Sequence, residues 1–234
     1  KRFSDKREKS SFTKLLQEVS KIDGLKRIRF TSPHPLHMDD EFIEEFARNP
    51  KISKCIHMPL QSGSTSILKA MRRGYTKEWF LNRASKMREL IPNLRITTDI
   101  IVAFPGETHE DFLDTLDVVK QVKFDQIFNF KYSPRPNTKA LELKELEIPD
   151  NIGSARLEEL IELHKRYLEN SMPDMVGQTV NVLFESLKPN GEVSGYTDNY
   201  FLVFAKGSDE LLGKFDDVKI TKASRTALKG EIVS

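Results

Sequence analysis

Arg95-Ile-Thr-Thr-Asp-Ile-Ile-Val-Ala-Phe-Pro-Gly-Glu-Thr108 is the stretch on which the reading of this chain turns. Ile96, Thr97 and Thr98 are β-branched or small, and Ile100, Ile101 and Val102 follow with almost no alternation. An apolar run of that kind predicts a central parallel strand covered on both faces. Pro105-Gly106 ends it, and Thr108 stands as N-cap before a helical run from Glu110 to Val122, with Asp111 three residues on as its capping-box partner. Asp99 is the one carboxylate inside the strand. A lone buried carboxylate is costly, so Asp99 either pairs with neighbouring backbone or faces a ligand.

Working outward, the same unit repeats. Phe12, Leu15, Leu16 and Val19 fall at helical spacing, with Gly24 closing that helix, and Arg27–Ser32 reads as a short strand. Asp39 or Asp40 caps a helix bearing Phe42, Ile43 and Phe46. Cys55–Leu60 is the next strand. Ser64 and Thr76 cap the two helices after it, the first stopping at Arg73-Gly74. The focal strand and its helix follow, then a strand over Asp125–Ser133. Strands separated by helices predict parallel βαβ units, in a doubly covered sheet or partial (βα) barrel. Ligands gather at the carboxyl ends of such strands. Here those ends read Thr31-Ser32-Pro33-His34, Gln61-Ser62-Gly63-Ser64, Pro105-Gly106-Glu107 and Ser133-Pro134-Arg135, four polar or glycine-bearing loops that point to one cleft.

Pro134–Pro149 is a connector and Ser154–Met172 an amphipathic helix. After Pro173 the pattern becomes short strands at roughly ten-residue spacing, broken at Asn190-Gly191 and Lys206-Gly207, which predicts a small five-stranded barrel. The expected division is therefore 1–172 and 173–234. Lys1–Ser10 is charge-rich without apolar periodicity and is expected to be a mobile surface segment. With no first strand there, the chain reads as starting within a domain.

Composition bounds the function. The chain of 234 residues carries a net charge of +2, with 38% hydrophobic and 31% charged residues. Residues 173–234 hold 7 basic and 9 acidic side chains, so an RNA contact would need a local patch. The single cysteine, Cys55, allows no internal disulfide and fits a reducing, cytoplasmic setting. No run approaches the ~18 apolar residues of a membrane span, so no membrane partner is expected.

Four motifs, in order and together, resemble the methylthiotransferases, a branch of the radical S-adenosylmethionine enzymes: His57-Met-Pro-Leu-Gln-Ser-Gly-Ser64, Met71-Arg-Arg-Gly-Tyr-Thr76, Thr98-Asp-Ile-Ile-Val-Ala-Phe-Pro-Gly-Glu-Thr108 and Tyr132-Ser-Pro-Arg135. The terminal barrel resembles that family's TRAM domain, an OB-like module associated with RNA. Arg27-Ile-Arg-Phe-Thr-Ser-Pro-His34 favours the branch acting on isopentenyladenosine in tRNA, over those acting on threonylcarbamoyladenosine or a ribosomal protein.

The resemblance implies S-adenosyl-L-methionine as cofactor, two 4Fe–4S clusters in the full-length protein, tRNA as partner, and an electron donor such as flavodoxin or ferredoxin. It implies a 5′-deoxyadenosyl radical that abstracts hydrogen from C2 of the modified adenosine beside the anticodon. Sulfur from the second cluster and a methyl from another S-adenosylmethionine complete the methylthio group. The cluster loop of that family carries Cys-x₃-Cys-x₂-Cys, and its N-terminal domain three cysteines more. Clusters need several thiolates, so this chain is expected to be a C-terminal portion that holds no cluster and is inactive alone. Ala103 and Asn137 also depart from the family, which prefers glycine at both positions.

Related enzymes use a Gln, Arg and Asp on consecutive βα units as cofactor contacts, and the resemblance carries this onto Gln61, Arg73 and Asp99. Gln61 both donates and accepts, Arg73 offers a fork for a carboxylate, and Asp99 accepts from a ribose hydroxyl or an ammonium. A loop cap for Gln61 and a solvated helix end for Arg73 are the plain alternatives. Val102 and Phe104, with Pro105-Gly106, offer an apolar shelf for adenine or else simple strand packing. Ser32 and His34 are expected to face the cleft. His34 and His57 read as hydrogen-bonded structural groups rather than metal ligands, and Glu107 as a carboxylate favoured by the helix dipole. Arg135 is a candidate for RNA phosphate or cofactor. Lys219, Lys222, Arg225 and Lys229 form the basic cluster of the barrel, and Tyr196, Tyr200 and Phe201 are candidates for base stacking. Two other readings stand beside this one: a noncatalytic RNA-binding module, and an α/β enzyme holding a phosphorylated ligand at Gly63 or Gly106.

Overall fold

The computed structural model describes residues 11–233, so the charged stretch Lys1–Ser10 lies outside the described residues. Helix α1 spans Ser11–Ser20 and α2 Asp40–Arg48, the latter capped by Asp39, whose carboxylate accepts from the Phe42 amide at 2.9 Å. Strand β1 is Cys55–His57, followed by helices α3 (Thr65–Ala70) and α4 (Lys77–Leu90) and by strand β2 (Arg95–Val102). Helix α5 (His109–Val122) carries the expected capping box between Thr108 and Asp111. Strand β3 (Gln126–Lys131), a 3₁₀ segment over Lys139–Leu146 and helix α6 (Asp150–Ser171) complete the first unit.

The strands pair in parallel in the order β1-β2-β3. Side chains alternate across β2. Ile96, Thr98, Ile100 and Val102 are fully buried toward the helices, while Asp99 and Ile101 on the opposite face are only partly covered. The uninterrupted apolar run therefore marks one sealed face and one face left half open.

Arg27–Ser32 does not form the expected strand. It contributes a single bridge between Ile28 and Ile52, and Ser32 takes a left-handed φ of 47°. A ladder needs a neighbour, and beyond Ile28 these residues serve other contacts. Phe30 packs edge-on to Phe12 at 5.1 Å and near Phe42 and Phe46, joining the core between α1 and α2. Arg27 and Arg29 reach instead to the second unit.

That unit is a closed barrel of order β4-β5-β6-β8-β7, with β4 Thr179–Leu187, β5 Glu192–Thr197, β6 Leu202–Lys206, β7 Phe215–Ala223 and β8 Leu228–Ile232. Alternate residues Val182, Phe184, Val193, Val203, Val218, Ile220 and Leu228 fill it. At Gly195 a Cβ would stand 1.9 Å from the Leu183 carbonyl oxygen, so only glycine lets β4 and β5 approach as they do.

The two units meet through a turn of the barrel. The Arg27 guanidinium donates to the carbonyls of Tyr196 (2.9 Å) and Thr197 (3.2 Å). The Lys54 amide and the Ser53 hydroxyl donate to the Asp198 carbonyl, and Arg95 donates to that of Tyr200. Arg95 also lies 4.4 Å from the Phe201 ring centroid, and Tyr200 is sandwiched between Arg29 and Tyr196. Tyr200 and Phe201, read above as candidates for stacking on bases, have their faces taken by this joint.

Candidate active site

A cleft of about 1180 Å³ opens at the carboxyl edge of the sheet, large enough for a nucleoside-sized ligand. Gln61, Arg73, Asp99, Phe104 and Arg135 all line it. Gln61, in an isolated bridge four residues beyond β1, takes a left-handed conformation (φ 71°), where its amide donates to the Asp99 carbonyl (2.8 Å) and its own carbonyl accepts from the Ile101 amide (2.9 Å). This extra rung fixes Gln61 beside Asp99. Among the described residues its side-chain amide has no protein partner.

Asp99 is held from one side. Its Oδ2 lies 3.2 Å from His57 Nε2, and His57 Nδ1 is 2.8 Å from Thr97 Oγ1. His57 is thus the structural hydrogen-bonded group expected, and it leaves Asp99 Oδ1 free toward the cleft. Arg73 is oriented by Tyr75. Its Nε donates to the Tyr75 hydroxyl at 3.2 Å, and that hydroxyl in turn donates to the Pro59 carbonyl at 2.8 Å. Burial pushes the Tyr75 phenol up, partly offset by Arg73. The two terminal nitrogens of Arg73 remain available as a fork. Burial, followed by Arg73 and His37, lowers the His34 imidazole, whose ring lies edge-on to Tyr75 at 6.0 Å.

Phe104 packs edge-on to Tyr132 at 5.3 Å and forms part of the floor. Val102 does not. It is fully buried on the sealed face of β2, one residue out of phase with Asp99, and Ile101 lines the cleft in its place. Ser32 is exposed and lines a second, smaller cleft of about 450 Å³, together with Arg29, Cys55, His57, Tyr200 and the shared Asp99.

Glu107 is more than a dipole partner. It is 3% exposed, and one oxygen accepts from the Ala103 amide (2.9 Å) and from Arg156 of α6 (2.7 Å). Burial pushes its carboxyl above the usual range, opposed by the Ala103 amide and Arg156. The pair pins the Ala103–Gly106 turn, where Ala103 has a φ of 59°. Asn137 likewise has a φ of 63°, so both departures from glycine fall on left-handed backbone. The phosphate-loop reading fails at Gly63. A Cβ there would stand 2.4 Å from Thr115 Cα, so this glycine exists for contact with α5, and its amide is taken by Thr115 Oγ1 at 2.9 Å. Ser64 is the N-cap residue of α3 by position but makes no cap bond. Its hydroxyl donates to Asp111 at 2.5 Å, tying α3 to α5.

The barrel cluster stands apart. Lys219, Lys222, Arg225 and Lys229 are exposed and line neither cleft. Lys222 lies directly opposite Lys229 on β7 and β8, Lys219 faces Glu231, and Lys229 approaches Glu192 at 3.7 Å. Sequence reasoning missed Tyr75 and Arg156. Arg156 had a signal, a cation within the Gly153, Leu160, His164 stripe that α6 buries.

Comparison with known proteins places this architecture. Residues 8–119 match the Radical SAM superfamily and residues 173–233 the TRAM domain. Coproporphyrinogen III oxidase from Escherichia coli, a radical SAM enzyme, shares the fold at a TM-score of 0.50 and 13% identity, covering 79% of this chain and 44% of that one. The α/β unit is thus similar to the Radical SAM superfamily and the barrel to the TRAM domain. A protein of Aliarcobacter butzleri named tRNA-2-methylthio-N(6)-dimethylallyladenosine synthase is 82% identical over 234 residues, which are 100% of this chain and 54% of that protein. One of the same name from a Nitratiruptor species is 59% identical over 231 residues, 99% of this chain and 53% of its own. The chain is similar along its whole length to these two synthases, and it spans about half the length of the curated relatives it matches.

The open valences of Gln61, Asp99 and Arg73 above the Phe104 floor fit the amino-acid, ribose and adenine parts of S-adenosylmethionine. The residues do not fit an iron–sulfur cluster. The sequence holds one thiol, Cys55, which burial pushes up, and no group of three or more potential metal ligands occurs among the described residues. Nor is any helix among them long and apolar enough to cross a membrane.

Proposed function

We propose that this chain is the cofactor-positioning and TRAM portion of a tRNA methylthiotransferase, which binds S-adenosylmethionine in the larger cleft and acts on N6-isopentenyladenosine beside the anticodon. The observation that carries the reading is the convergence of three polar side chains that keep bonding capacity, Gln61 and Arg73 following β1 and α3 and Asp99 in β2, on one apolar-floored cleft. Bound S-adenosylmethionine supplies radical and methyl-transfer chemistry in such enzymes; the protein supplies position. Arg73, steered by Tyr75, takes the ligand carboxylate. Asp99, buttressed by His57, accepts from ribose hydroxyl or ammonium, and Gln61 donates and accepts beside it. Ile101 and Phe104 exclude water from the flat face.

Cluster thiolates lie outside this chain's residues, so no step is assigned through a cluster. The 234-residue chain alone is inactive on this reading, and the complete protein is cytoplasmic, with a flavodoxin or ferredoxin as electron donor. Methylthioadenosine formed in tRNA by this polypeptide alone would refute the inactivity.

The test is equilibrium dialysis of S-adenosylmethionine against the chain and its Gln61→Ala, Arg73→Gln and Asp99→Asn variants. All three are expected to weaken binding without lowering the thermal midpoint. The noncatalytic RNA-binding reading is favoured by Lys69, Arg72, Arg135 and Lys139 at the cleft mouth, none with a carboxylate partner among the described residues. It wins if RNA binds in a salt-dependent way while S-adenosylmethionine does not bind at all.

A further inference from the structure

Asp99 is supported from behind the larger cleft. On β2, Thr97 and Asp99 share one face, and His57 of β1 is registered against Thr97. Asp99 lines both clefts, whereas His57 and Thr97 line only the smaller one. A ligand in the larger cleft therefore meets the carboxylate and not the imidazole.

Chemistry fixes the direction of the first bond in this group. A carboxylate only accepts, so the 3.2 Å contact between His57 Nε2 and Asp99 Oδ2 requires a proton on Nε2. At the other end of the ring Nδ1 lies 2.8 Å from Thr97 Oγ1, a hydroxyl that serves a ring nitrogen as donor or as acceptor. Thr97 thus selects one of the two flips of the imidazole, the one that turns Nε2 toward Asp99. Thr97 is 8% exposed, so this anchor is set into the sheet, and Phe128 of β3 stands edge-on to the ring at 5.8 Å. Among the described residues the bond from His57 is the one hydrogen bond made to the Asp99 carboxylate.

We propose that His57 is a positioning residue for the cofactor: with Thr97 behind it, the imidazole pins Oδ2 and leaves Oδ1 as the acceptor that Asp99 presents to S-adenosylmethionine. The inference rests on the reading of the larger cleft given above and adds the pair that aims its carboxylate. A carboxylate held by no donor turns freely about its last torsion. The ligand must then order it, and affinity falls by that cost. A packing role would need only a ring at position 57, whereas the positioning role needs an N–H at the Nε2 end.

The test pairs histidine-labelled NMR of the 234-residue chain, which reports the protonation of each ring nitrogen, with equilibrium dialysis of S-adenosylmethionine. The His57 signal is the one missing from His57→Gln. The parent is expected to carry a proton on Nε2, and a ring protonated on Nδ1 alone overturns the proposal. His57→Leu is expected to bind S-adenosylmethionine about tenfold more weakly, the loss of one hydrogen bond to a charged group. His57→Gln, whose side-chain amide places an N–H near the Nε2 position, is expected to stay within about threefold of the parent. Thr97→Val is expected to weaken binding by about threefold and Thr97→Ser to restore it, with thermal midpoints compared throughout. In the Asp99→Asn chain His57→Leu is expected to add less than about twofold, because its effect passes through Asp99. Should His57→Leu lower the midpoint, Thr97→Val against Thr97→Ser carries the comparison. The proposal is overturned if His57→Leu binds like the parent, if His57→Gln is no better than His57→Leu, or if the full loss persists in the Asp99→Asn chain. A parent that binds no S-adenosylmethionine sinks the cofactor reading and this inference with it. Parent binding that His57→Leu leaves intact sinks this inference alone.

Discussion

The α/β unit and the barrel use their polar groups in opposite ways. In the barrel every strand has two neighbours, the interior is apolar, and the carbonyls of Tyr196, Thr197, Asp198 and Tyr200 are consumed by donors from the other unit. The α/β unit has three strands, one half-open face, and a cleft where Gln61, Arg73 and one oxygen of Asp99 keep unused bonding capacity. Three side chains that keep bonding capacity on one cleft meet the requirement for a polar ligand there. The barrel, by contrast, acts as a fixed wall, with Tyr200 closing the smaller cleft.

Four substitutions sharpen or break that contrast. The largest effect is expected at Arg156→Met, which strands the buried Glu107 carboxylate and is expected to cost about 3–5 kcal/mol in chemical denaturation. The sign with pH follows from the raised folded pKa of Glu107. The stability this group contributes is fully present below the ordinary carboxylate range and is lost as pH rises through the folded value. Arg156→Met raises that value further, so the deficit against the parent narrows as pH falls. A deficit independent of pH would contradict the ion-pair account.

Next comes Arg27→Met, which removes the donor to two barrel carbonyls and is expected to cost about 1–3 kcal/mol. If the joint is as rigid as its bonds suggest, calorimetry of this variant splits one transition into two. An unchanged single transition would mean that Arg27 is not what couples the two units, and two transitions already in the parent would mean that the barrel is merely tethered. Tyr75→Phe loses the hydroxyl that steers Arg73, and is expected to weaken S-adenosylmethionine by about tenfold or less, near 1 kcal/mol. The smallest effect falls on the barrel surface. Lys222→Ala is expected to change stability by less than about 0.5 kcal/mol, toward gain, because it relieves the like charge of Lys229 opposite.

Much of this contrast was legible in the residues. The barrel could be read because short alternating segments between turn residues admit few closures. Asp99 stood out as the one carboxylate in an apolar strand, and Gln61 and Arg73 by their places after strand and helix. Val102 was misplaced because an unbroken apolar run carries no phase of its own. Asp99 itself supplies that phase, since Ile101 shares its face and Val102 does not. Arg27–Ser32 has strand-forming residues but lacks a neighbour, and pairing is a property of two segments rather than one. The Glu107–Arg156 bond joins residues 49 positions apart, and its trace was a single cation in a buried helical stripe.

The central claim is that Gln61, Asp99 and Arg73 act on one ligand. Titration calorimetry of S-adenosylmethionine into the parent chain, Asp99→Asn, Arg73→Gln and the double variant tests it directly. Each single change is expected to weaken binding by about ten- to a hundredfold, roughly 1.5–3 kcal/mol for a bond to a charged group. The double variant is expected to depart from additivity, as groups on one bound molecule do. Equal affinity for the parent and both single variants would contradict the account.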